Sequence, residues 1–230
     1  MQFVSLGNSE DVVTFEEALA RGIPADGSLY HPVEIPKLTS EQIASLPSLD
    51  TKAIDRLILT AWLGDEIPEA DLAQIVETAA TFETPCVPVA DKHILEIFHG
   101  PTMAFKDVAA RYLAALISYF NGKTGRTSTV LVATSGDTGG AIAHGFGGVA
   151  GTRVVVLYPK ARVSQLQQEQ LRRVAGNVTT LEVDGDFDAC QALVKKALAD
   201  KELVDAVNLT SANSLLSGVY CRRRCTTPVP

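Results

Sequence analysis

Two short stretches carry residue types that could do chemistry. In "HGPTMAFKD", His99 to Asp107, one lysine, Lys106, stands behind a phenylalanine and between apolar runs. Gly100 and Pro101 force a turn, Thr102 or Asp107 can cap a helix, and the apolar "VAARYLAALISYF" that follows reads as a buried helix. An ammonium held in an apolar pocket near a helix N-terminus has its neutral form favoured, and neutral lysine is the form that makes an imine. The bland alternative is a helix-start lysine with its stem on apolar surface and its head in water.

The second stretch, "ATSGDTGGA" from Ala133 to Ala141, follows the strongest strand pattern and opens a helix. The amides of Ser135 to Gly139 then lie at a strand's carboxyl end and at a positive helix terminus; with the hydroxyls of Ser135 and Thr138 they form a socket for a carboxylate or phosphate. A plain strand-to-helix turn capped by Ser, Asp and Gly explains the same residues equally well. An imine-forming lysine beside an anion socket points toward pyridoxal phosphate. Other spacings lead nowhere. "NGKTGRTST" resembles the end of a Walker loop, but Ile117 stands where glycine is required and the stretch precedes a strand. Gly145, Gly147 and Ala150 have dinucleotide-fingerprint spacing at the end of a helix pattern, where close packing explains them better. Asp184, Asp186 and Asp188 begin like a calcium loop, yet Lys195 occupies the place of the closing glutamate, so helix capping is the better reading.

The elements that must position these residues follow from periodicity. From Thr14 to about Thr84 the pattern is helical and irregular: "TFEEALARG" and "TSEQIASL" each start on a capping threonine, and "AIDRLILTAWLGD" and "EADLAQIVETAATF" are amphipathic. After Pro88 the character changes. "RTSTVLVATS" and "TRVVVLYPK" read as buried strands, "NVTTLEVDG" and "ELVDAVNLTSA" as weaker ones, with the helical patterns "DTGGAIAHGFGG", "SQLQQEQLRRVAG" and "DFDACQALVKKALADK" between them. This alternation implies a parallel sheet covered by helices on both faces, with ligands at the carboxyl ends of its strands.

The chain of 230 residues is 46% hydrophobic and carries 20 Lys+Arg against 27 Asp+Glu, a formal charge of −7. That field repels phosphate backbones, so neither nucleic acid nor an anionic membrane is an expected partner. With no basic-then-apolar start and no long apolar run, a cytoplasmic location is expected. The four cysteines form no framework expected to be disulfide-bonded, and Cys221 and Cys225 lack the second ligand pair of a zinc site, so no metal is expected.

Taken together, "EIFHGPTMAFKD", "VATSGDTGGAIAHGF", "VVVLYPK", "DGDFDACQALVKKA" and "LTSANS" resemble the threonine synthases of bacterial and fungal type, in that order and spacing, as do "TFEEALARGIPADGSLYHP" and "WLGDEIP" in the opening region. The resemblance implies an α/β, fold-type II pyridoxal-phosphate enzyme with a tryptophan synthase β-like parallel sheet, preceded by a small, mainly helical N-terminal domain. It implies a carbon–oxygen lyase acting on phosphates, which converts O-phosphohomoserine and water into threonine and phosphate. Lys106 matches the lysine that holds pyridoxal 5′-phosphate. Asp137 matches a position near the cofactor's 3′-oxygen, Ser135 and Thr138 the loop receiving the substrate's anionic end, and Asn213 and Ser214 further phosphate-side contacts. The implied division is residues 1–92 for the helical domain, 93–214 for a partial cofactor domain, and 215–230 for an aberrant tail. "LLSGVYCRRRCTTP" departs from the family there, and one back-translation of it, slipped by a single base, reads as family-like sequence; an out-of-frame tail is expected, to be checked by resequencing the gene across the Leu215 codon. The alternatives are a related phospho-lyase giving a keto acid, and a non-catalytic truncated product.

Overall fold

The computed structural model describes residues 1–172 and 175–212. The tail expected at 215–230 lies outside the described residues, as do Asn213 and Ser214.

The capping threonines do what their spacing predicts. Thr14 Oγ1 accepts from Glu17 N while Glu17 Oε2 accepts from Thr14 N, which starts α1 (Phe15–Arg21). Thr39 and Gln42 repeat the exchange at α2 (Ser40–Ser45). The Asp50 side chain accepts from Ala53 N and starts α3 (Thr51–Leu63), and α4 (Glu69–Ala79) follows Pro68. Each buries one apolar stripe: Leu59, Trp62 and Leu63 from α3, and Leu72, Ile75, Val76 and Ala79 from α4.

The region up to residue 95 also contains strands. β1 (Gln2–Ser5), β2 (Val12–Thr14) and β3 (Tyr30–Pro32) form an antiparallel sheet in the order β2-β1-β3, and β4 (Cys86–Val89) pairs with β5 (Lys92–Leu95) in a hairpin. Strands of three or four residues present too few alternations to declare a period, which is why the helical reading passed over them. Pro88 sits inside the two-stranded ribbon opposite His93, a place where a missing amide is tolerated.

The α/β part begins with α5 (Lys106–Thr124) and continues β6 (Ser128–Ala133), α6 (Asp137–Phe146), β7 (Thr152–Pro159), α7 (Gln165–Arg172), β8 (Val178–Val183), α8 (Phe187–Ala199), α9 (Lys201–Val207) and β9 (Leu209–Ser211). Among the described residues the sheet is four-stranded and parallel, ordered β8-β7-β6-β9. One correction applies here: "ELVDAVNLTSA" is a short helix and only then a strand. Asp200 accepts from Leu203 N to start α9, Asn208 ends it in the left-handed region, and the apolar Val204 and Val207 pack beneath the sheet.

Alternation along β6 assigns the two faces. Val130 and Val132 face α5 and α6, joining Leu113, Ile142 and Phe146; Leu131 faces the other way with Leu157, Leu209 and Cys190, covered by α8 and α9. α5 is buried along most of its length, from Val108 through Ile117 apart from Arg111, and its Phe120 ring lies 6.1 Å from that of Phe15 in α1.

Candidate functional site

Lys106 is the first residue of α5, and the geometry that puts it there is local. Asp107, 1% exposed, turns its carboxylate back to accept from Thr102 N at 2.8 Å and from Thr102 Oγ1 at 2.6 Å. Neither residue caps the helix amides, contrary to the expectation from the sequence; they brace each other instead, closing the His99–Thr102 turn and pinning the helix start. Two donors, one of them a backbone amide, satisfy a carboxylate that would otherwise be costly to bury. The lysine itself is half-buried, with Nζ 4.6 Å from the centroid of the exposed Phe105 ring.

Lys106 opens into a cavity of about 320 Å³ at the carboxyl ends of β6 and β9, with Ala110, Val132, Ala133 and Ile142 among its apolar walls. Thr138 enters from the start of α6, and Gln191 and Lys195, one turn apart on α8, contribute an amide and a second cation. Neither Gln191 nor Lys195 was singled out as a site residue from the sequence. Both lie on an ordinary amphipathic helix, and only the crossover that lays α8 against the sheet brings them to the cavity.

The glycine loop between β6 and α6 is organised by a residue that sequence reasoning missed. Thr134, 1% exposed, accepts through Oγ1 from Gly136 N at 2.9 Å and from Gly139 N at 2.8 Å, and donates to Gly136 O at 3.0 Å. Two of the amides expected to form an anion socket are therefore already satisfied internally. The first-turn amides of Asp137 and Thr138 have no acceptor within their own helix, so the loop's donor end is smaller than expected.

Of the predicted site residues, Lys106 and Thr138 share the cavity wall. Ser135 and Asp137 lie on the exposed side of the same loop, and Asp137 Oδ1 accepts from Gln167 Nε2 at 2.9 Å. Asn213 and Ser214 directly follow Ala212, which lines the cavity. Among the described residues no group of three or more His, Cys, Asp or Glu could hold a metal ion, and no helix is long and apolar enough to cross a membrane.

Comparison with known proteins agrees with this geometry. Residues 2–80 match the family described as threonine synthase N terminus, and residues 82–218 match the family of pyridoxal-phosphate dependent enzymes. The chain is 41% identical to the threonine synthase of Escherichia coli K12 over 216 residues, covering 94% of this chain and 50% of that protein. It is 39% identical to the Saccharomyces cerevisiae threonine synthase, covering 90% of this chain and 45% of the relative. Among solved structures, threonine synthase from Escherichia coli superposes with a TM-score of 0.89 at 39% identity over 98% of this chain and 53% of that one. The pyridoxal-phosphate-bound threonine synthase from Brucella melitensis gives 0.88 at 38% identity, over 100% of this chain and 53% of that one. The chain spans about half the length of the curated relatives it matches. With a mainly helical opening region leading into an α/β sheet whose strand ends face a helix-start lysine, the chain belongs to the pyridoxal-phosphate dependent enzyme family and is similar along its length to the N-terminal half of threonine synthases.

Proposed function

We propose that this chain supplies the N-terminal module and part of the cofactor module of a threonine synthase, a protein that converts O-phosphohomoserine and water into threonine and phosphate in the cytoplasm. The single observation that carries the reading is Lys106, seated at the start of a buried helix and opening into an apolar-walled cavity shared with Thr138.

The residues present fit pyridoxal 5′-phosphate: a primary amine able to form an imine, apolar walls for a planar ring, and a helix start with a hydroxyl for an anionic group. When bound, the cofactor supplies the electron sink for carbanions of the substrate. The chain's own residues do the rest. Lys106 holds the cofactor and moves protons at Cα and Cβ of the substrate. Thr138 and Ser135, with the first-turn amides of α6, would take the substrate's anionic end, and Asp137 would serve on the side of the cofactor's 3′-oxygen. Asn213 and Ser214 add phosphate-side contacts. The division into residues 1–92 and 93–214 belongs to the same proposal.

The test is attachment. After incubation with pyridoxal phosphate and borohydride reduction, peptide mapping is expected to place the cofactor on Lys106, and Lys106→Ala to lose that label; equal labelling of surface lysines such as Lys160 and Lys201 overturns the assignment. Phosphate and threonine released from O-phosphohomoserine, measured on the same preparation, test the reaction.

A further inference from the structure

One side chain ties the start of α7 to the glycine loop. Gln167 Oε1 accepts from Ser164 N and from Ser164 Oγ, each at 3.0 Å, and Ser164 Oγ accepts from Gln167 N at 3.3 Å, the reciprocal pattern of a capping box. With the oxygen committed to two donors, the orientation of the amide is settled and its nitrogen faces outward as a donor. That nitrogen donates to Asp137 Oδ1 at 2.9 Å.

The approach is close enough that a side chain at Gly136 would displace the Gln167 amide. A Cβ at Gly136 would fall 2.2 Å from Gln167 Nε2, and Gly136 has a φ of 153°, which side-chain-bearing residues rarely adopt. Asp137 is the first residue of α6, at its positive end. A carboxylate there with no partner would be drawn to that helix's own first-turn amides, the donors an anionic ligand would use.

We propose that Gln167 is a positioning residue: its amide, oriented by the Ser164 cap, holds the Asp137 carboxylate off the α6 N-terminus and in a fixed place beside the Lys106 cavity. The consequence for cofactor uptake rests on the function proposed above; the claim about the loop does not.

Glutamate at 167 preserves the cap, since its oxygens accept from Ser164 equally well, but sets a carboxylate against Asp137. Asparagine at 137 then restores a donor to face it. Four chains are compared, wild type, Q167E, D137N and Q167E/D137N, by hydrogen exchange without cofactor and by pyridoxal phosphate titration. Q167E is expected to speed amide exchange in residues 135–140 by about tenfold, with α5 and β7 unchanged. Its cofactor uptake should weaken by about fivefold, and Q167E/D137N, in which the 137 carboxylate is itself removed, should bring the loop exchange back to within about twofold of wild type. Loop exchange in Q167E equal to wild type, or a double variant no better than Q167E, overturns the proposal. If no chain, wild type included, takes up the cofactor, the proposed function fails and loop exchange alone decides the role of Gln167.

Discussion

A single buried hydroxyl shapes the loop that faces Lys106. Thr134 Oγ1 answers two amides and one carbonyl, so Thr134→Val keeps the volume but leaves Gly136 N and Gly139 N without an acceptor. A loss of about 1–3 kcal/mol in urea unfolding is expected, against under about 1 kcal/mol for Thr134→Ser; equal stability of the valine variant would show the hub to be idle. In the sequence Thr134 ends a β-branched run and reads as strand, and nothing local reveals that its oxygen points back into the loop. Lys106 and Thr138 were legible because a lysine among apolar residues and a Ser-Gly-Asp-Thr cluster after a strand are unusual as residue types. Cys190 shows the reverse. Its thiol is fully buried, and burial, with Asp186 acting in the same direction, pushes its pKa up. The folded chain therefore keeps that proton after the unfolded chain has lost it, so this contribution to stability falls as pH rises through the unfolded thiol's range, about 8.5. Iodoacetamide is expected to label the exposed Cys86 in the native chain and Cys190 only after denaturation, as read by peptide mass mapping.

At the scale of elements, the site depends on α5 and α6 lying unusually close. A Cβ at Gly145 would stand 2.8 Å from Ala110 Cβ and 3.0 Å from its backbone carbon, so these helices meet through a position with no side chain. This is the close packing expected for the glycines at the end of that helix pattern. Alanine's better helix propensity is worth about 1 kcal/mol, whereas overpacking costs about 1–3 kcal/mol, and because backbone is among the crowded atoms overpacking wins. Gly145→Ala is expected to lower stability by up to about 2 kcal/mol in thermal unfolding; a more stable variant would show that α5 can give way. The helices from α1 to α8 were legible because caps and a 3.6-residue stripe act within one or two turns. The strands β1 to β5 and the helix α9 were not, being too short to complete a pattern and dependent on partners distant in the chain.

The whole molecule is held by a core that runs through both parts. Phe3 and Phe15 from the opening region, Trp62 from α3, Phe120 from α5 and Val154 and Val178 from the sheet belong to one buried cluster, and Thr210 Oγ1 donates to Leu19 O at 3.3 Å. Trp62 is the chain's one tryptophan and is 7% exposed, so its fluorescence reports on the opening region while far-ultraviolet circular dichroism reports on all elements. The two signals are expected to unfold together, and Phe120→Ala, costing about 3–5 kcal/mol, should lower both midpoints equally. An earlier transition in either signal would mean that the parts are not coupled through this core. What the sequence by itself determined is the local chemistry: where the first helices are capped, where the buried strands of the parallel sheet run, which lysine is out of place and which loop can meet an anion, since such features act over a few residues. Only the tertiary structure decided which of these meet. Asp107 turning on Thr102, Thr134 occupying the loop amides, Lys195 reaching the cavity and Gln167 holding Asp137 all follow from the packing of elements around the sheet, where burial and close contact select among many side-chain arrangements that periodicity leaves equal.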